Sequence, residues 1–304
     1  MKKALALILT ASLLTGVLTA CGSSKAQTDA AETTTEEAAA EENAAAEETA
    51  DTDAQAETGD LQVITVAATA VPHAEILEAA KPILAEQGYD LQITVFDDYV
   101  QPNEVVEAGD IDCNYFQHIP YLNSYNEERG THLVSVGEIH YEPIGIYAGT
   151  ESDLSNIPDG ADIAIPNDTT NEARALLILQ DNGIITLKEG AGIDATINDI
   201  AENPHNINFV EMEAAQVSKV LSEVAFAVIN GNYALDAGLN AQTDALASET
   251  SDSLAAQTYV NVVVVKEGNE DNEGVKALVN VLKSDDIKKF IEETYEGAVV
   301  PFEG

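Results

Sequence analysis

Arg129 and Arg174 are the only arginines of the chain, and they are placed to do different things. Arg129 ends a predicted helix just before Gly130, where a cation suits the negative end of the helix dipole, so its reading is structural. Arg174 lies in Ile165-Pro166-Asn167-Asp168-Thr169-Thr170-Asn171-Glu172-Ala173-Arg174-Ala175-Leu176, which reads as a strand end, a polar loop and a helix start. Thr169, Thr170 or Asn171 can cap that helix, leaving free N–H groups near the loop. A guanidinium beside such donors can grip a carboxylate bidentately. In so acidic a chain it can equally pair with an internal Asp or Glu, and spacing alone leaves both readings open.

Two further groups of side chains could bind rather than react. In Asp112-Cys113-Asn114-Tyr115-Phe116-Gln117-His118-Ile119-Pro120-Tyr121, a strand gives way to a helix opened by Pro120, so Phe116, His118 and Tyr121 fall at the turn. Tyr99 sits at another strand end. Such aromatics either belong to the core or wall an apolar pocket able to hold a flexible thioether. Asn230 follows a predicted strand, and Asn261 lies inside Tyr259-Val260-Asn261-Val262-Val263, a poor place for an amide without a partner. Amides accept from an ammonium and donate to a carboxylate; Asn230 is also placed to act as a helix N-cap.

Motifs for catalysis are missing. There is no G-x-S-x-G elbow, no phosphate-binding G-x-x-x-x-G-K-[ST] loop and no H-E-x-x-H. Gly190-Ala191-Gly192-Ile193-Asp194-Ala195 fits G-x-G-x-x-A but comes late and opens no long helix, so it reads as a turn. The five His show no i,i+4 pair, and a metal site would need ligands converging from distant segments. Binding without chemistry, cofactor or metal is the expectation.

Composition agrees. The 304 residues carry 54 Asp+Glu against 13 Lys+Arg, a net charge of −41. Such a surface repels a phosphate backbone, which excludes nucleic acid as a partner. From Leu61 onward 42 acidic face ten basic side chains, about −32, a field that tolerates a zwitterion better than an anion.

The elements that must position these residues alternate. Strands are predicted over 63–69, 91–96, 111–116, 133–139, 144–148, 162–165, 206–211, 225–229 and 259–265. Helices are predicted over 73–87, 102–108, 120–129, 171–182, 215–223, 233–239, 273–282 and 285–295. This alternation predicts an α/β architecture with buried parallel sheets. Two such series within about 240 residues predict two lobes with a ligand cleft between them.

The N-terminal sixty residues read differently. Met1-Lys2-Lys3, an apolar run from Ala4 to Val17 and Leu18-Thr19-Ala20-Cys21 resemble a bacterial lipobox, which implies cleavage before Cys21 and its lipidation. Residues 23–60 carry twelve acids, one base and no large apolar side chain, the composition of a self-repelling tether. Cys113 then has no disulfide partner and reads as a small buried residue.

Four segments together carry a resemblance: Asp97-Asp98-Tyr99-Val100-Gln101-Pro102-Asn103, Asp112 through Leu122, Pro166 to Leu176, and Val228-Ile229-Asn230-Gly231-Asn232-Tyr233-Ala234. From about Val63 to the C-terminus the chain resembles the methionine-binding lipoproteins of bacterial ABC importers, the NlpA-type lipoprotein family. The resemblance implies a two-lobed type II periplasmic solute-binding protein fold. It implies a signal peptide at 1–20 and a lipidated Cys21 with its tether at 21–60. One lobe would comprise 61–142 plus 259–304 and the other 143–258, with chain crossings near Tyr141–Ile146 and Gln257–Val262. By motif position Arg174 should hold the ligand carboxylate, and Asn230 and Asn261 the amino-acid head. Tyr99, Phe116, His118 and Tyr121 should surround the thioether. The implied partners are methionine, an ABC permease with its ATPase, and the membrane through the lipid anchor, with a monomer held on the extracytoplasmic face of the cell membrane. A methionine-containing dipeptide, a related amino acid or a non-transport surface role are the alternatives. Cys113 stands where a small residue such as Ala is usual, and Tyr115 takes a variable position; neither is a pocket residue.

Overall fold

The structure, a computed structural model, describes residues 61–250 and 257–304. The lipobox, Cys21 and the acidic tether lie outside the described residues. Among the described residues no helix is long and apolar enough to cross a membrane.

Two sheets organise the rest. The first has the order β13-β4-β12-β3-β1-β2, from β1 (Gln62–Ala68), β2 (Tyr89–Val95), β3 (Cys113–His118), β4 (Leu133–Tyr141), β12 (Val260–Lys266) and β13 (Val300–Pro301). The second has the order β11-β5-β10-β6-β9, from β5 (Gly145–Ala148), β6 (Asp162–Pro166), β9 (Asn208–Met212), β10 (Phe226–Ile229) and β11 (Ala245–Ser248). A small hairpin pairs β7 (Thr186–Leu187) with β8 (Ile200–Glu202).

Each sheet has its own core, which makes the molecule two-lobed. Ile64, Val66 and Val263 pack under α1 (Glu75–Glu86), whose Ile76, Leu77, Ala80 and Leu84 form one buried stripe at helical spacing. Around the second sheet, Ile144, Ile163, Phe226 and Val228 pack against Leu176 and Leu179 of α4 (Thr169–Asp181). Cys113 is fully buried in the first core, its thiol 3.6 Å from the Thr65 carbonyl, and burial pushes its pKa up.

Three expectations need correction. The sheets are mixed rather than parallel. β1 runs parallel to β2 and β3, but β12 inserts antiparallel between β3 and β4. It comes from the C-terminal part of the chain, returning after the second sheet is complete, so its direction is set by re-entry and not by a strand–helix–strand repeat. The helix expected over 215–223 is only α5 (Ala214–Val217) followed by a 3-10 turn at Ser218–Val220. The carbonyls of Val224 and Ala225 turn away to accept from Thr150 N and Gly149 N at 2.8 and 3.0 Å. At Gly149 a Cβ would lie 2.3 Å from the Val224 oxygen, so only glycine allows that approach. Finally, α4 is capped by Asp168, which accepts from Asn171 N at 3.1 Å, and not by Thr169, Thr170 or Asn171.

Candidate ligand-binding site

Strand ends and helix starts of both lobes converge on one cavity. From the first lobe come Tyr99, in the loop after β2, and Phe116, Gln117 and His118 at the end of β3. Tyr121 belongs to the first turn of α3 (Ile119–Arg129), and Asn261 lies on β12 opposite His118. From the second lobe come Asn171 and Arg174 on α4, and Asn230, Gly231 and Asn232 where β10 meets α6 (Gly231–Asp236). Glu142, on the segment joining β4 to β5, completes the lining. All seven side chains named from the sequence as ligand contacts therefore face one space.

One end is aromatic. The Tyr99 ring centroid lies 5.7 Å from Phe116, 5.6 Å from Tyr121 and 5.0 Å from Tyr233, within the range of favourable ring contacts. Tyr121 OH donates to the Tyr99 carbonyl at 3.1 Å, and Tyr99 OH donates to Asn232 Oδ1 at 2.5 Å. The second bond crosses between lobes. So do Tyr233 OH to the Asp97 carbonyl at 3.1 Å and His118 Nε2 to Asn171 Oδ1 at 3.1 Å. These bonds hold the cleft closed.

The other end is polar. His118 is the N-cap of α3: its Nδ1 accepts from Tyr121 N at 3.2 Å, which places the ring proton on Nε2 and directs it to Asn171. Burial and the nearby Arg174 hold His118 neutral, with its pKa down at about 3. Asn171 Oδ1 also accepts from Asn230 Nδ2 at 2.8 Å. Asn230 stands at the N-cap position of α6 yet its side chain caps nothing; its Oδ1 is buried and has no hydrogen-bond partner. An orphaned buried acceptor facing a cavity is a place for a donor from a ligand.

Of the two readings left open by the sequence, the structure shows the internal pairing of Arg174. The side chain also lines the cavity. Nε donates to Glu249 Oε1 at 2.9 Å, Nη2 reaches Glu249 Oε2, and Nη2 donates to the Glu142 carbonyl at 2.8 Å. Nη1 takes part in none of these bonds. The guanidinium carbon sits 4.3 Å from the centre of the Tyr259 ring. Glu249 also accepts from Tyr141 OH at 2.6 Å and Ile144 N at 3.1 Å. Burial alone would raise the Glu249 pKa, but Arg174 overrides it and leaves the carboxyl below its usual range.

Glu142 was not singled out in the sequence. It is 5 % exposed, and burial raises its pKa against the opposing pull of His73 and Arg174. A Cβ on Gly231 would lie 2.7 Å from the Glu142 Cβ, so glycine there lets the two segments meet. Asn171 reads from the sequence only as a candidate helix cap, and Asn232 appears within a quoted motif without an assigned role. The signal for them was weak, since an amide next to a cap position looks like ordinary capping chemistry. The lining as a whole offers a zwitterion a guanidinium, an anionic carboxyl, amides and an aromatic slot, with no nucleophile–base pair in it.

Comparison with known proteins follows the same lines. The profile of the NlpA lipoprotein family matches residues 64–303. Among curated relatives, the methionine-binding lipoprotein MetQ of Bacillus subtilis is 41 % identical over 250 residues, covering 81 % of this chain and 90 % of its own. A crystal structure from Ruminococcus gnavus is 66 % identical with a TM-score of 0.79, covering 80 % of this chain and all of that one. A nutrient-binding protein from Burkholderia cenocepacia, solved bound to methionine, is 42 % identical with a TM-score of 0.74, covering 78 % and 99 %. With a matching profile over most of its length and relatives this similar, the chain belongs to the NlpA lipoprotein family.

Proposed function

We propose that this protein is the solute-binding lipoprotein of an ABC importer, which captures methionine between its lobes and hands it unchanged to a membrane permease. Arg174 and the neighbouring amides take the carboxylate. The ammonium sits between the unpartnered Asn230 Oδ1 and the Glu142 carboxylate. Tyr99, Phe116 and Tyr121, with the face of His118, enclose the thioether, and Asn261 closes the head end. The lobes are residues 61–142 plus 259–304 and residues 143–258. Cys21 carries the lipid that holds a monomer on the extracytoplasmic face of the cell membrane. The protein is not an enzyme.

The observation that carries this reading is the orphaned Asn230 Oδ1, buried beside an acidic side chain in a cavity whose far wall is aromatic. Calorimetric titration with L-methionine, after unfolding and refolding to remove carried-over ligand, should give one-to-one binding. A folded protein that shows neither heat nor a thermal shift with methionine overturns the proposal.

A further inference from the structure

Behind Glu142 lies a second layer of buried polar groups that does not line the cavity itself but contacts two residues that do, Glu142 and Asn261. Thr69, His73, Tyr115 and His140 are each 2 % exposed or less. Their proton positions follow from their partners. Tyr115 OH contacts His140 Nδ1; burial keeps the phenol protonated, so it donates and the ring proton of His140 lies on Nε2. His140 Nε2 then donates to Glu142 Oε1 at 2.7 Å. His73 Nε2 faces two acceptors, Glu142 Oε1 at 3.3 Å and Asn261 Oδ1 at 3.1 Å, so it too carries its proton, and Nδ1 accepts from Thr69 OH at 2.8 Å. Burial holds both rings neutral, with pKa values down at about 4 for His73 and about 3 for His140.

These three ligand-type residues lie close enough to suggest a metal site. With both Nε2 atoms protonated, neither ring offers its lone pair toward Glu142, and the cluster is a hydrogen-bond relay. Every polar atom just named has a partner of the opposite kind. A fully satisfied buried network fixes geometry, because any rotation of one member leaves another unpaired.

We infer that His73 and His140 are positioning residues for ligand specificity. Their two Nε2–H groups hold Oε1 of Glu142, so that its carboxylate stays ionised and fixed against the amino group of the bound ligand. Tyr115 and Thr69 set the tautomers that make this possible, and His73 reaches the head-group amide Asn261 as well. Without these donors, Glu142 in a dry site would favour its neutral, protonated form, and discrimination for an α-amino group would fall. The inference rests on the reading that Glu142 receives the ammonium.

A double-mutant cycle on methionine affinity tests it, using His140→Phe, Glu142→Gln and the pair. His140→Phe should weaken binding about tenfold, as expected when a charge-assisted contact is lost. The double variant should bind within about twofold of Glu142→Gln alone, because His140 acts through the charge of Glu142. His140→Gln, which keeps an amide donor at the Nε2 position, should recover most of the affinity. Losses that simply add in the double variant, or a His140→Phe protein that binds like wild type, overturn the inference while leaving the proposed function standing. If Glu142→Gln itself binds like wild type, the ammonium assignment fails and this inference with it. Should His140→Phe not fold, Tyr115→Phe removes only the hydroxyl that fixes the tautomer and should show the same non-additivity with Glu142→Gln.

Discussion

Replacing Asn230 with alanine separates ligand recognition from stability better than any other change in the cavity. The side chain makes one hydrogen bond within the protein, Nδ2 to Asn171 Oδ1 at 2.8 Å, and leaves a buried oxygen unpartnered. It contributes no capping bond to α6. Losing the single neutral bond should cost about 0.5–1.5 kcal/mol of stability. Losing an acceptor for the ligand ammonium should cost about 1.5–3 kcal/mol of binding, which is roughly 10- to 150-fold in Kd. Calorimetry with L-methionine and a thermal melt of the same preparation read the two numbers side by side. An Asn230→Ala protein that binds within about twofold of wild type would refute the placement of the ammonium, because nothing else in the structure occupies that oxygen.

Other perturbations probe other parts of the account. Arg174→Ala should lower stability by about 3–5 kcal/mol as well as abolish tight binding, because it strands the buried Glu249 carboxylate. Adding Glu249→Ala should restore part of the stability but none of the affinity, as a denaturant titration alongside calorimetry would read. Tyr99→Phe removes one bond that ties the lobes together and should weaken methionine binding about 2- to 12-fold with little effect on the melt. Acid should also destabilise the fold. His73, His118 and His140 titrate near 6.5 when unfolded but at about 4, 3 and 3 when folded, so below pH 6.5 the unfolded chain takes up protons that the native one refuses. Each contributes a loss of up to about 1.4 kcal/mol per pH unit between pH 6.5 and its folded value, partly offset by the raised carboxyls of Glu142 and Asp168. Denaturant midpoints measured from pH 7 to pH 4 should fall steadily, and a flat profile would contradict the neutral burial of the three rings.

What could be read in the sequence, and what could not, divides by range. Arg174, Asn230, Phe116 and Tyr121 sit at junctions between strands and helices, and those junctions are written in local periodicity and in Pro120 and Gly231. Glu142 and Glu249 were invisible for the opposite reason. Each lies at a connection between strands, and each is buried by segments far away in sequence: Glu142 by His73 and Gly231, Glu249 by Arg174 and Tyr141. The same limit hid the direction of β12, whose string of valines announces a buried strand but not which neighbours it will join. His73 and His140 show no pairing in the sequence because they meet only where the loop after β1 reaches the end of β4.

A crystal structure grown with selenomethionine as the added amino acid tests the central claim most directly, since the selenium can be located by its anomalous signal without reference to the map's interpretation. The account predicts one strong peak between Tyr99, Phe116 and Tyr121, with density for the amino group at Asn230 Oδ1 and Glu142 and for the carboxylate at Arg174. A peak outside the cleft, or one beside Arg174 with the head group turned toward the aromatics, would contradict it.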